Sequence, residues 1–303
     1  MEYAHTIGVV SGLLAALVWA IASIMYRKLG VSLHPLVLNL YKGLVATGIL
    51  LVVLACRGGL LQSVPTLPLC LLLVGGAVGI GIGDAALFAS LNRLGERQTM
   101  LIFQSTAPVV TVLVAAAVLD EHLSTMAFVG MGAIVAGVLW VVAERPQSAG
   151  DERSGRRAGI LFGVLAAACQ AAGATLSRSA FRMHDIGPLW SALIRLVGGL
   201  AVIVLLLPIA RQSVLPQSAR NRRIWQMVLL AAALGTFGGI SLQQVAFKYT
   251  YAAVAQTVLA MTVVFVLVAT RLLGEKVSLR ACVGALLAVV GVGLLFWAKD
   301  GAA

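Results

Sequence analysis

Residues 108–138, PVVTVLVAAAVLDEHLSTMAFVGMGAIVAGV, and residues 262–292, TVVFVLVATRLLGEKVSLRACVGALLAVVGV, align without a gap at a constant offset of 154. Fifteen of the 31 positions are identical. Matches among Val, Leu and Ala are cheap in so apolar a chain. The pairs Glu121 with Glu275, Ser124 with Ser278, Gly130 with Gly284 and Gly137 with Gly291 are not. Each copy is an apolar run, a short polar hinge and a second apolar run, which is the pattern of a helical hairpin written twice. Any fold for this chain has to accommodate two copies of one unit.

At 60% hydrophobic and 11% charged residues, with a mean hydropathy of +1.01, a soluble interior could not hide the apolar side chains of 303 residues. The chain belongs in a bilayer. Runs of roughly 20 residues, enough to cross the hydrocarbon as helix, fall at about 7–26, 36–56, 68–91, 99–119, 125–143, 159–176, 188–209, 225–247, 252–273 and 279–297. That predicts ten spans, five in each half. No Lys or Arg precedes the first run and Arg27 and Lys28 follow it, the reverse of a secretory signal, so it reads as a retained helix. Cys56, Cys70, Cys169 and Cys282 show no metal-ligand spacing and read as packing residues.

The net charge of +11 has a topological explanation rather than a nucleic-acid one. Of the 22 Lys and Arg, fifteen fall in alternate connections starting with the first, five on the other side, and Lys42 and Arg195 inside spans. By the positive-inside rule both termini then lie outside the cytoplasm, and the one long basic loop, 144–157, lies within it.

The repeat extends beyond the hairpin. Residues 12–27 match 163–178, pairing Trp19 with Gln170 and Arg27 with Arg178, and Pro35 and Lys42 match Pro188 and Arg195. Five spans per unit is odd, so the second unit enters the membrane from the opposite face. The expected fold is therefore all-α, ten transmembrane helices as two inverted five-helix repeats, at 1–143 and 158–303 with the linker 144–157 between them. Inverted copies around a midplane site can exchange conformations and expose that site to each side in turn.

These residues resemble the drug/metabolite transporter superfamily and, within it, the EamA family of ten-helix carriers. The resemblance rests on the duplicated unit, the hairpins ending in LDEHLS and LGEKVS, Pro108, the basic residue early in the second helix of each half, and AFKYTYAAVAQT at 246–257. One departure is Thr262 where the first copy has Pro108, so a proline kink is expected in the first half alone. The resemblance implies a carrier of small metabolites such as amino acids, or of toxic compounds, in the cytoplasmic membrane and acting as an exporter. Such a carrier needs no cofactor or metal. Its expected partners are a small-molecule substrate, the lipid bilayer, coupling protons and a second copy in a homodimer, with no role for nucleic acid.

The candidate substrate-binding residues are Trp19, Lys42, Asp84, Gln104, Gln170, Arg195, Gln243 and Gln256. Asp84 is the one acidic residue of eleven well inside a predicted span, where a carboxylate must be paired, protonated or wet. It either bonds a neighbouring helix or faces the cavity, binding a cationic group or carrying a proton. Lys42 and Arg195 lie about 10 Å inside their spans. Each could snorkel to the headgroups, attract a substrate carboxylate, or pair with Asp84. The glutamines need partners, so they face protein or water; Gln243 and Gln244 point about 100° apart and cannot both be central. An amide-and-indole lining suits zwitterionic or aromatic metabolites.

Other repeated features read as structural. Gly75, Gly79 and Gly83, with Gly235 and Gly239, form side-chain-free strips for close helix approach, as do Gly130 and Gly137 with their counterparts. Ser124 and Ser278, with Glu121 and Glu275, fit helix capping. No nucleotide-binding loop, zinc motif or nucleophile elbow is present. A membrane-embedded enzyme would need a His, Asp or Ser cluster at one depth, and the histidines sit at termini or loops. Efflux of toxic cations and a non-transporting assembly role remain the alternatives to metabolite export.

Overall fold

The computed structural model describes every residue except 1, 31, 60–61, 120–122, 143–152, 211–221, 273–277 and 298–303. Glu121, Glu275 and most of the expected linker therefore lie outside the described residues. All regular structure among the described residues is helical. It comprises α1 (Glu2–Gly30), α2 (Pro35–Cys56), α3 (Thr66–Gly76), α4 (Gly83–Leu119), α5 (Thr125–Val142), α6 (Arg153–Met183), α7 (Pro188–Ile209), α8 (Arg222–Ala231), α9 (Gly239–Tyr249), α10 (Ala252–Leu259), α11 (Thr262–Leu272) and α12 (Leu279–Trp297). Two π-helical turns, Ala77–Ile82 and Ala232–Gly238, join α3 to α4 and α8 to α9. The last residues of the expected linker, from Arg153, are already helical.

Eight stretches are long and apolar enough to span a bilayer, and two further apolar helices, Thr125–Trp140 and Leu279–Leu295, are shorter. In hydrocarbon every backbone polar group must be satisfied internally, which helices achieve by themselves. Helical hydroxyls follow the same rule. Thr111, Thr175, Ser177, Ser179 and Thr257 each donate to the carbonyl four residues back.

The helical run α4 is not one straight rod. The Ser90 and Thr99 hydroxyls are 3.1 Å apart, whereas nine residues of helix separate two points by roughly 13 Å. The chain doubles back between them, so the third and fourth spans form an antiparallel pair along α6, where Gly163 faces both Ser90 and Ile102. At the end of α2 the chain turns on Gly58, whose φ of 64° suits glycine, and the Gly59 N–H reaches back to the Leu54 carbonyl.

Counterpart helices of the two copies pack antiparallel. The start of α2, at Val37 and Leu40, meets the end of α7 at Ile203 and Leu207; its later part, at Ala46 to Leu54, meets Ala192 to Leu196. On α5 and α12, a side chain at Gly130 would press within 2.9 Å of the Gly291 carbonyl, and one at Gly137 would strike the carbonyl of Gly284. Since Gly130 corresponds to Gly284 and Gly137 to Gly291, each contact is the mirror of the other. The glycine strips behave alike: Gly79 lies on Gly173 of α6, and Gly235 on Ala22, which is the counterpart of Gly173, on α1. The two π-helical turns also coincide under this correspondence. The expected caps are present, with Ser124 and Ser278 accepting from the N–H groups of Ala127 and Ala281.

The two fourth spans differ around the Pro108 and Thr262 positions. The helix stays continuous through Pro108, while its counterpart breaks at Ala260–Met261, where bonding tightens to three residues and the Thr262 hydroxyl takes the Leu259 carbonyl at 2.7 Å. A hydroxyl drawn back onto the preceding turn competes with the helix ladder there.

Candidate functional site

Between the two halves lies a cavity of about 260 Å³. All eight candidates named above, Trp19, Lys42, Asp84, Gln104, Gln170, Arg195, Gln243 and Gln256, line it. They come from α1, α2, α4, α6, α7, α9 and α10, so no single repeat builds the cavity. The lining runs from mid-depth, at Arg195, Gln243 and Gln256, toward the face that carries the start of α2, through Asn39, Met100, Phe103 and Ile203.

The opposite face, where α1 begins, is tied together by polar bonds. The Gln62 amide bridges the Asp185 carbonyl (3.0 Å) and the Gly187 N–H (3.1 Å), and the Trp190 indole donates to the Gly59 carbonyl. Lys248 pairs with Asp185 at 2.5 Å and donates to the Ile186 carbonyl at 2.9 Å. That bond and the ammonium's charge hold the Asp185 carboxyl below its ordinary range. Arg178 bonds the carbonyls of Phe247 and Lys248, Arg182 that of Leu119, and His5 the Thr250 hydroxyl at 3.0 Å. None of these groups lines the cavity.

Inside, the three charged residues are unequal. The Lys42 ammonium does not snorkel; it sits 3.1 Å from Asp84 Oδ2 and lies over the rings of Tyr26 and Phe88, 5.5 and 5.9 Å from their centroids. Arg195 is 1% exposed, makes no ion pair among the described residues, and has Nε and Nη1 without a hydrogen-bond partner. Its guanidinium runs beside Gly79 and Gly173, where built side chains would come within 3.1 and 2.9 Å of Nη2. The glycine strip thus houses a cation as well as a helix contact.

Trp19 offers a ligand only its ring, because its N–H is spent on the Gly235 carbonyl at 2.8 Å. Of the adjacent pair, Gln243 lines the cavity with a free Nε2, while Gln244 points away and accepts from Ser191 at 2.8 Å. Gln256 keeps Oε1 unpaired. Buried amides without partners cost free energy unless something else bonds them. Asn39, 1% exposed with both amide atoms unpaired, belongs to the same set and was not among the sequence candidates. Like the glutamines it is an amide within a span, three residues before Lys42, and carries the same cost of burial. Tyr26 is less legible: its hydroxyl bonds the Ala231 carbonyl and Thr236 across helices more than 200 positions apart.

The profile of the EamA-like transporter family matches residues 6–143 and again residues 157–297. No curated protein matches the chain. Among 28 solved chains that match, one, titled only "Crystal structure of protein", is similar with a TM-score of 0.79 at 17% identity, covering 96% of this chain and 97% of its own. At that identity the likeness speaks to the fold.

Proposed function

Because the chain belongs to the EamA-like transporter family, we propose that it is a secondary carrier that moves a small zwitterionic or aromatic metabolite out of the cell by alternating access. Chains of this family are membrane transporters; the substrate, the direction and the mechanism are the proposal. The observation that carries it is the cavity shared by both halves, with one face of the molecule tied together by the Gln62, Trp190 and Lys248 bonds and the lining running toward the other.

On this reading the two copies, 1–143 and 158–303, are inverted repeats with ten spans in all, the short α5 and α12 included. The antiparallel packing of α2 on α7 and of α5 on α12 supports it, since counterparts related by an in-plane two-fold axis must run in opposite directions. The face with most basic residues is cytoplasmic and both termini lie outside, so the described conformation faces inward. Exchange of the tied face for the open one, by rocking one repeat against the other, completes the cycle. Two cations and a single acid line the cavity, so a ligand with only positive charge is repelled there, which favours metabolite export over cation efflux.

Counterflow tests the reading. Proteoliposomes loaded with unlabelled amino acids should accumulate at least one externally added labelled amino acid above protein-free vesicles. Absence of accumulation across amino acids, nucleosides, sugars and cationic drugs would remove the carrier reading and leave the assembly role.

A further inference from the structure

The cavity holds one buried cation, Arg195, one half-buried cation, Lys42, and one acid. Lys42 and Arg195 are counterparts in the repeat, seven residues after Pro35 and Pro188. Gly79 and Gly235 correspond by their packing on the counterparts Gly173 and Ala22, and Gly83 and Gly239 follow four residues later in each half, with Asp84 next after Gly83. The position corresponding to Asp84 is therefore Ile240. Ile240 lies where the correspondence puts it: it lines the cavity with Arg195 and packs in one buried cluster with Leu193 and Leu196, which flank Arg195 in sequence. The first half thus completes its ion pair; the second carries the cation with an isoleucine in place of the acid, and Asp84, whose charge also acts on Arg195, makes no hydrogen bond or ion pair with it. A buried guanidinium with two unbonded nitrogens is costly unless a matching anion reaches it.

We propose that Arg195 anchors a carboxylate of the transported molecule, which supplies the acid that the second half lacks. This rests on the carrier reading and names the chemistry of its substrate. A planar carboxylate accepts two bonds from the guanidinium fork. The free amides of Asn39 and Gln243 supply further donors to the same cavity, and Gln256 Oε1 an acceptor. Asp84 Oδ2 is taken by Lys42, but the Asp84 side chain is still 28% exposed, which leaves it within reach of an ammonium group on the same ligand. An α-amino acid would match both ends, with its side chain against Trp19 and Phe103.

The test uses the purified full-length protein in detergent and a pair of probes of equal shape, propionate and propionamide, at matched ionic strength. Thermal stabilisation should reach half its maximum at a roughly 10- to 100-fold lower concentration of propionate, the range for a buried charge-assisted bond. Two variants should abolish that preference by different routes. Arg195→Gln removes the anchor; Ile240→Asp leaves the anchor in place and occupies it from within. If Arg195→Gln does not fold, Ile240→Asp decides alone. Equal stabilisation by the two probes, or a propionate preference that survives in Ile240→Asp, overturns the proposal. The carrier reading is judged separately by counterflow with amino acids and their amides. Uptake indifferent to the carboxylate keeps the carrier and rejects the anchor; a propionate preference with no uptake of any compound keeps the anchor and rejects the carrier.

Discussion

In the first half Lys42 has Asp84 at 3.1 Å; in the second, its counterpart Arg195 has Ile240. The scaffolds around these pairs are alike. Both third spans carry a π-helical turn at the same place, and both glycine strips lie on the first helix of the other half. Duplication therefore preserved the backbone contacts, where an added methyl would strike a carbonyl, and let the polar lining diverge. A two-fold scaffold with an identical lining would offer a small asymmetric ligand two equivalent sites. One exchanged residue is enough to give it one.

The largest test of this difference is to neutralise each partner in turn. Asp84→Ala leaves Lys42 without its carboxylate and should cost about 3 kcal/mol, the lower end for breaking a buried pair because Asp84 is partly exposed. Arg195→Met, which breaks no hydrogen bond or ion pair and removes only the longer-range pull of Asp84, should stabilise the ligand-free protein by about 1 kcal/mol. Chaotrope unfolding in micelles measures both. A loss in Arg195→Met as large as that in Asp84→Ala would show that the second half has an internal partner after all.

The shared scaffold predicts symmetrical losses. Gly137→Ala and Gly291→Ala place a methyl against a facing backbone and should each cost about 1–3 kcal/mol. Gly132→Ala and Gly293→Ala, on the same two helices with nothing within 4 Å, should be neutral or stabilising by up to about 1 kcal/mol. Unequal losses at Gly137 and Gly291, read from melting temperatures, would break the symmetry that the contacts describe.

A smaller contrast separates Trp19 from its counterpart Gln170. Trp19→Phe removes the bond to the Gly235 carbonyl and should cost about 1 kcal/mol. Gln170→Met, where no hydrogen bond is lost, should stay within about 0.5 kcal/mol; equal effects would argue that the indole bond contributes nothing.

The smallest effect lies at the tied face. Lys248 and Asp185 have uncharged counterparts, Asn92 and Ser32, in the first half. Because the Asp185 carboxyl is held below its ordinary value of 3.8, its pairing contributes fully above about pH 4 and fades as the pH falls through the depressed value. Asp185→Asn should lower the melting temperature slightly at pH 7, and by less as the pH is taken below 4. A difference that does not shrink at all as the pH falls below 4 would assign the effect to the turn itself.

Much of this molecule can be read along the chain. Hydropathy alone places the eight long apolar helices, because roughly 20 apolar residues have one use in a bilayer. The costs of burying Asp84, the glutamines, Lys42 and Arg195 direct those residues away from lipid, and all of them line one cavity except Gln244, which is held by Ser191. Asn39 follows the same rule as the glutamines: it is a polar amide within a span and lines the same cavity. The repeat likewise announces which positions correspond.

What the chain cannot announce is which of two equally suitable cations takes the single acid. Lys42 and Arg195 are interchangeable by depth, charge and repeat position; the choice depends on helix rotations and on separations between elements remote in sequence. The same holds for the doubling back of α4 and for the unbroken helix at Pro108 beside a broken one at Thr262. Local propensity sets what a segment can do. In a bilayer, where every helix is locally satisfied, the facing helix decides which of those options is used.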